Sequence, residues 1–138
     1  MTEPIDWDRV SAAYGIGAVV EVPARAICGL QGQVWRLVTS HGVWAVKETL
    51  TPIERVQART AAEFSEAARR NGVPAPANRC TAEGQPLLQQ DGRSVRVQSW
   101  VELVDPTTAI DVTELGRLVA RLHNTALAPP RPVHWWYT

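Results

Sequence analysis

A lysine stands in an apolar stretch that we predict to be a strand. The segment reads Val43-Trp44-Ala45-Val46-Lys47, and because side chains alternate between the two faces of a strand, Lys47 shares a face with Val43 and Ala45. A desolvated ammonium needs a partner, since burial of an unpaired charge is costly. A carboxylate or the phosphate of a ligand can supply it. An edge-strand lysine that discourages aggregation is the alternative and needs no partner.

A glycine turn lies one hairpin before this lysine. It reads Gly29-Leu30-Gln31-Gly32 and is followed by Val34. Glycines allow the backbone to approach a ligand closely and to direct N–H groups at phosphate oxygens. Taken alone, the two glycines are also compatible with an ordinary turn. Their position before a strand lysine favours a phosphate-binding loop.

Glu63 is the candidate partner of Lys47. It lies in a predicted helix, four residues after Arg59. A solvated Arg59–Glu63 pair on the helix surface would contribute only a few tenths of a kcal/mol. The functional alternative is a buried ion pair in which Glu63 orients the Lys47 ammonium toward a phosphate.

The first half of the chain predicts a short helix followed by three strands. The helix covers Asp6 to Tyr14, and the strands cover Val19–Ile27, Gln33–Thr39 and Val43–Leu50. The turn Ser40-His41-Gly42 makes the second and third strands an antiparallel hairpin.

The second half predicts two helices and two further strands. Thr51, Pro52 and Glu54 are typical of a helix start. That helix ends at Asn71-Gly72, and its apolar positions should face the core: Ile53, Val56, Thr60, Phe64 and Ala67. The turn Asp91-Gly92 joins strands near Leu87–Gln90 and Ser94–Val104. A last helix begins near Asp111 with an apolar stripe of Leu115, Leu118, Val119 and Leu122. This order predicts an α+β fold with an antiparallel sheet of about five strands and one main packed helix.

Composition limits the function classes. The 138 residues fit one domain, and 14 basic residues balance 14 acidic ones, which disfavours a general nucleic-acid binder. Cys28 and Cys80 have no metal-ligand spacing and are predicted to be buried free thiols. No apolar run is long enough to span a membrane, and the start does not resemble a signal peptide. We therefore expect a cytoplasmic protein without membrane or nucleic-acid partners.

The motifs together resemble a known family. Val43 to Lys47 is similar to the Val-Ala-Ile-Lys strand of the protein-kinase-like fold. Asn71-Gly72-Val73-Pro74-Ala75-Pro76, Ser94 to Leu103, and the stretch Leu115 to His123 resemble the aminoglycoside phosphotransferase branch of small-molecule kinases. The resemblance implies an N-terminal kinase lobe over residues 1–104, followed by a connector and the first helix of a second lobe over residues 105–138.

The resemblance also implies roles for individual residues. Lys47 would bind the α- and β-phosphates of ATP or GTP, and Glu63 would hold Lys47. The remaining implied nucleotide-binding residues are Gly29, Gly32 and Gln33 over the phosphates, Val34 and Ala45 around the adenine, Gln98 at the back of the pocket, and Ser99 and Val101 through their backbones at the adenine edge.

The family's catalytic aspartate and its magnesium ligands have no counterpart in this sequence. We therefore expect no catalytic or metal residue in the chain, with Mg²⁺ held by a second lobe, and we interpret the chain as a fragment or a separate lobe. The implied parent transfers a phosphate to a hydroxyl of an aminoglycoside-like molecule, choline, homoserine or a similar acceptor. The chain alone should bind nucleotide at most and associate through exposed apolar surface. The alternatives are a non-catalytic kinase-like interaction module and an unrelated α+β domain with an apolar pocket.

Overall fold

The structure is a computed structural model that describes residues 4–29, 32–49, 53–104 and 109–125. Within those ranges the chain forms three helices and five strands. In chain order they are α1 (Trp7–Tyr14), β1 (Ala24–Gly29), β2 (Gly32–Thr39), β3 (Gly42–Thr49), α2 (Arg55–Arg70), β4 (Leu88–Gln90), β5 (Arg93–Ser99) and α3 (Val112–His123).

The five strands form one antiparallel sheet in the order β1-β2-β3-β5-β4. The predicted α+β class and the five-stranded antiparallel sheet are confirmed. β3, which carries Lys47, is the central strand, and it pairs with β2 on one side and with β5 on the other. Residues that stand opposite each other on neighbouring antiparallel strands project from the same face of a sheet.

Both predicted hairpin turns are present. β2 and β3 join at Ser40-His41, and β4 and β5 join at Asp91-Gly92. Asp91 and Gly92 have φ angles of 48° and 78°, the left-handed conformations that a tight two-residue hairpin turn requires.

The first strand is shorter than predicted. Val19 forms only an isolated bridge with Thr39, and the continuous strand begins at Ala24, directly after Pro23. Proline has no N–H to donate to a sheet ladder, so pairing starts beyond it.

The core lies between α1 and one face of the sheet, which we call the core face. Asp6 caps α1 by accepting the Arg9 backbone N–H at 2.9 Å, and Gly15 ends the helix at a φ of 59°. The Tyr14 hydroxyl donates to the Val95 carbonyl at 2.9 Å. Burial raises the pKa of that hydroxyl, which keeps it protonated. The buried cluster comprises Ile5, Val10, Tyr14, Ile16, Leu37, Val46, Val95 and Val97.

The predicted core-facing stripe of α2 is wrong. Val56 is 57% exposed and Phe64 is 38% exposed, whereas the buried side chains of α2 are Ala58 and Ala68. The helix contacts the segment before β4, where Arg59 donates to Gln85. The buried core cluster contains Val10 and Tyr14 of α1 and no residue of α2, so α1 supplies its helical part. The helix starts at Arg55 with Glu54 as N-cap residue, and the predicted start signals Thr51 and Pro52 lie outside the described residues.

α3 lies against the end of α2. The Asn71 side chain donates to the Arg121 carbonyl at 2.6 Å, and the Arg121 guanidinium donates to the Gly72 carbonyl at 3.2 Å. The predicted division between residues 104 and 105 falls at the edge of a range that the structure does not describe.

Most of the predicted α3 stripe is exposed: Leu115, Val119 and Leu122 are 47%, 41% and 38% accessible, and only Leu118 is half-buried.

The sequence predicts that both cysteines are buried free thiols. Cys80 is an exposed free thiol, so this prediction is wrong for Cys80, and the side chain of Cys28 is not among those that the structure describes. In the part of the chain that is described, no helix combines the length and apolarity needed to cross a bilayer.

Candidate functional site

Lys47 lies in the middle of the sheet on the face opposite to the core. It stands directly across from Val34 on β2 and from Arg96 on β5. The side chain is half-buried. Burial lowers the pKa of the Lys47 ammonium, and the neighbouring Arg96 guanidinium lowers it further. We call this surface, which carries Val34, Ala45, Lys47, Arg96 and Gln98, the lysine face.

Arg96 is one of two arginines that share the lysine face. The other, Arg36, stands opposite Ala45 and pairs with Glu21 at 3.6 Å. Arg96 is half-buried, and its Nε atom is buried without a hydrogen-bond partner. Among the residues that the structure describes, no carboxylate forms an ion pair with Lys47 or with Arg96. Like charges directly opposite on neighbouring strands destabilise a sheet. Within the described ranges, no carboxylate therefore offsets the charge of this pair.

The expected Lys47–Glu63 ion pair is not formed, although both residues lie in described ranges. Glu63 is exposed and lines a shallow groove of about 240 Å³ between α2 and the segment before β4, together with Arg59 and Cys80. The reason is the rotation of α2, which directs Glu66 instead of Glu63 toward the segment before β4, where Glu66 accepts from Asn78.

Three of the residues expected around a nucleobase share the lysine face. Ala45 stands directly opposite Gln98 on β5, and Val34 lies opposite Lys47 on β2. Ala45 is buried, whereas Val34 and Gln98 are half-buried. The register thus brings together an apolar pair, an amide and the lysine on one surface.

The glycine turn has a structural explanation of its own. Gly29 pairs with Gly32 where β1 meets β2, and the intervening Leu30 and Gln31 lie outside the description. A side chain at Gly32 would overlap the Glu48 carbonyl of β3, so close strand approach alone requires glycine there. Gln33 is buried on the core face, and its amide donates to the Val34 carbonyl at 2.8 Å.

The two residues expected at the adenine edge differ in their availability. The Ser99 N–H donates to the Ala77 carbonyl at 2.9 Å and is therefore already used within the protein. The Ser99 hydroxyl accepts the Ala77 N–H at 2.9 Å as well. Val101 is 49% exposed, and its backbone takes part in none of the hydrogen bonds found among the described residues. Val101 is thus the better placed of the two to contact a ligand.

A chain of polar side chains leads from α2 to the lysine face. Glu66 accepts the backbone N–H of Asn78 at 2.9 Å and its side-chain amide at 3.3 Å. Gln98 then donates to the Asn78 side-chain oxygen at 2.7 Å. The remaining amide oxygen of Gln98, Oε1, is buried and has no hydrogen-bond partner. The Asn78 hydrogen bond and the ion pair with Arg69 hold the pKa of Glu66 below its usual range.

Sequence reasoning missed Arg96, Glu66 and Asn78. Arg96 had a usable signal, because the alternating polar residues Ser94, Arg96 and Gln98 fill one face of a predicted strand. Glu66 and Asn78 had none, since their contact depends on the rotation of α2.

The described residues contain no cluster of three or more histidine, cysteine, aspartate or glutamate side chains that could hold a metal ion.

Scans against protein-family models and against curated proteins find no match to this chain.

Proposed function

We propose that this chain is the nucleotide-binding lobe of a small-molecule phosphotransferase with a protein-kinase-like fold. The observation that carries the proposal is the pair formed by Lys47 and Arg96, two half-buried cations directly opposite each other without an acidic partner in the described part of the chain. The triphosphate of a nucleotide supplies the missing negative charge.

Phosphate suits this pair chemically. The Arg96 guanidinium can donate two parallel hydrogen bonds to phosphate oxygens, while the Lys47 ammonium acts as a point charge. Bound phosphate would raise the pKa of Lys47 back toward its ordinary value, because an opposite charge favours the ammonium form. In the proposed complex Val34 and Ala45 pack against the base, and Val101 offers backbone groups to its edge.

The proposed role has a limited chemical scope. The chain binds ATP or GTP, and Mg²⁺ bound to the nucleotide offsets phosphate charge there. Transfer to the hydroxyl of a small acceptor requires groups that the described residues do not supply. We place the protein in the cytoplasm, where the nucleotide is abundant.

A thermal-shift titration tests the proposal. Mg-ATP and, separately, sodium tripolyphosphate should raise the Tm of the folded chain, because a ligand that binds only the native state stabilises it by about 2.7 kcal/mol at a hundred times its Kd. Lys47→Ala should abolish both shifts, and Arg96→Gln should reduce them at least several-fold. Arg9→Gln changes the net charge equally at an exposed site on α1 and should leave the shifts unchanged.

Two results would contradict the proposal. One is a folded chain that shows no shift with either ligand. The other is a shift that Lys47→Ala and Arg9→Gln affect to the same extent, which would indicate nonspecific attraction of anions.

A second candidate, the non-catalytic interaction module, is favoured by the exposed apolar stripe of α3. Leu115, Val119 and Leu122 follow each other at helical spacing and are all more than a third exposed. If this stripe is the working surface, Leu115→Gln combined with Val119→Gln should abolish self-association in sedimentation equilibrium while Lys47→Ala leaves it intact. A monomeric wild-type chain would exclude self-association through this stripe, and ATP binding that Lys47→Ala abolishes would favour the nucleotide lobe over the interaction module.

A further inference from the structure

We propose, resting on the nucleotide-binding role above, that Gln98 makes the site selective for a purine with an amino group at position six, so that it prefers adenine to guanine or hypoxanthine. The Glu66–Asn78–Gln98 relay fixes the Gln98 amide so that its oxygen, and not its nitrogen, remains for a ligand. Glu66 and Asn78 act as positioning residues in this proposal.

The polarity of the relay follows from its acidic end. An ionised carboxylate only accepts hydrogen bonds, so the Asn78 group nearest to Glu66 must be its NH₂. The Asn78 oxygen therefore points away from Glu66, and it can only be met by a donor, the Gln98 NH₂ at 2.7 Å. An amide that is otherwise free to flip is locked in one orientation by the charge at Glu66.

The locked orientation leaves Gln98 Oε1 as a buried acceptor without a donor. A buried acceptor that lacks a partner is costly to leave unsatisfied. Gln98 stands opposite Ala45, on the same face as Lys47. In the proposed orientation the base packs on Ala45 with its phosphates toward Lys47 and its six-position toward Gln98. Adenine presents an NH₂ donor at that position, whereas guanine and hypoxanthine present a second acceptor.

A competing arrangement exists within the protein. The Arg96 Nε–H is also buried and unpartnered, and it lies two residues before Gln98 on the same face of β5. A small shift that joined these two groups would satisfy Gln98 Oε1 internally. In that case the site would not distinguish the two kinds of base.

The test compares ATP with ITP, in which a carbonyl oxygen replaces the amino group at position six and N1 carries a hydrogen. Isothermal titration calorimetry should give a Kd for ATP about tenfold lower than for ITP. This ratio corresponds to one hydrogen bond that satisfies the buried Gln98 Oε1 atom. Gln98→Leu should bring the ratio close to one. Glu66→Gln, which permits the relay to reverse, should lower the ratio at least threefold while both nucleotides still bind.

Gln57→Leu provides the matched control, because Gln57 is exposed on α2 and the substitution is the same. It should leave the ratio unchanged, and circular dichroism should show all variants folded. Equal binding of ATP and ITP by the wild type, both displaced by tripolyphosphate, would overturn the selectivity and leave the nucleotide role standing. No binding of ATP, ITP or tripolyphosphate would overturn both proposals.

Discussion

Lys47 and Arg96 stand directly opposite each other on β3 and β5, on the sheet face away from the core. Like charges directly opposite each other on neighbouring strands cost stability. No described carboxylate pairs with either cation. A bound anion would offset the repulsion between the two cations, which is the physical basis of the proposed phosphate site.

Lys47→Met should stabilise the protein without ligand at neutral pH, by about 0.5 kcal/mol, because it removes the desolvated ammonium opposite Arg96. Since burial lowers the pKa of Lys47, the folded protein holds this proton less tightly than the unfolded chain does. The stability of the wild type should therefore rise with pH, and the advantage of the variant should shrink as the pH approaches the ordinary lysine value of 10.5. Urea unfolding at several pH values measures this, and a destabilised variant at pH 7 would contradict it.

Arg93→Ala should lower the unfolding free energy by about 3 kcal/mol, because it leaves the buried Glu48 carboxylate without its cationic partner. Arg93 donates to Glu48 at 2.7 Å, and the Glu48 side chain is only 9% exposed. The indole N–H of Trp35 remains as a donor to Glu48 at 3.1 Å. The double variant with Glu48→Gln should recover part of the loss. Equal stability of Arg93→Ala and the wild type in urea would show that the pair is not buried as described.

Gly32→Ala should destabilise the protein by about 2 kcal/mol even without ligand, since its Cβ would overlap the Glu48 carbonyl. Gly116 in α3 is the matched control, because a Cβ there meets nothing within 4 Å. Gly116→Ala should be stabilising by about 0.5 kcal/mol through helix propensity. Thermal unfolding of both variants measures the contrast. A neutral Gly32→Ala would argue that this glycine is kept for a ligand and not for strand packing.

Glu66→Gln should lower the unfolding free energy by about 1 kcal/mol at pH 7, because it weakens the bonds from Asn78 and removes the ion pair with Arg69. The pKa of Glu66 is depressed in the folded state, so its contribution is complete above the ordinary value of 4.5 and is lost as the pH falls through the folded value. The stability curves of the wild type and the variant should therefore converge in acid. Curves that remain parallel below pH 4.5 would assign the effect to packing.

The parts of the fold that local chemistry determines could be predicted from the sequence. Asp91-Gly92 adopts the left-handed turn expected of it, and Asp6 and Gly15 begin and end α1 as capping residues do. The β2–β3 hairpin follows from Ser40-His41-Gly42 in the same way. These features depend on neighbours in the chain, so a single sequence contains the information.

The site depended on contacts between distant segments and was predicted only in part. Lys47 and Ala45 lie where strand alternation places them, but the opposition of Lys47 and Arg96 depends on the register between β3 and β5, which no short loop fixes. The choice between Glu63 and Glu66 depends on the rotation of α2. Both carboxylates lie on the same helix, and only the packing of that helix decides that Glu66, and not Glu63, contacts Asn78.

The most direct test of the central claim follows from the fact that Lys47 is the only lysine in the chain. Protein labelled with ¹³C at lysine Cε gives one side-chain resonance, whose pH titration reports the Lys47 pKa. The pKa should lie below 10.5 in the free protein and rise on addition of tripolyphosphate or ATP, with a shift of the resonance that saturates. A resonance that titrates at the ordinary lysine value and does not respond to either ligand would contradict the phosphate site.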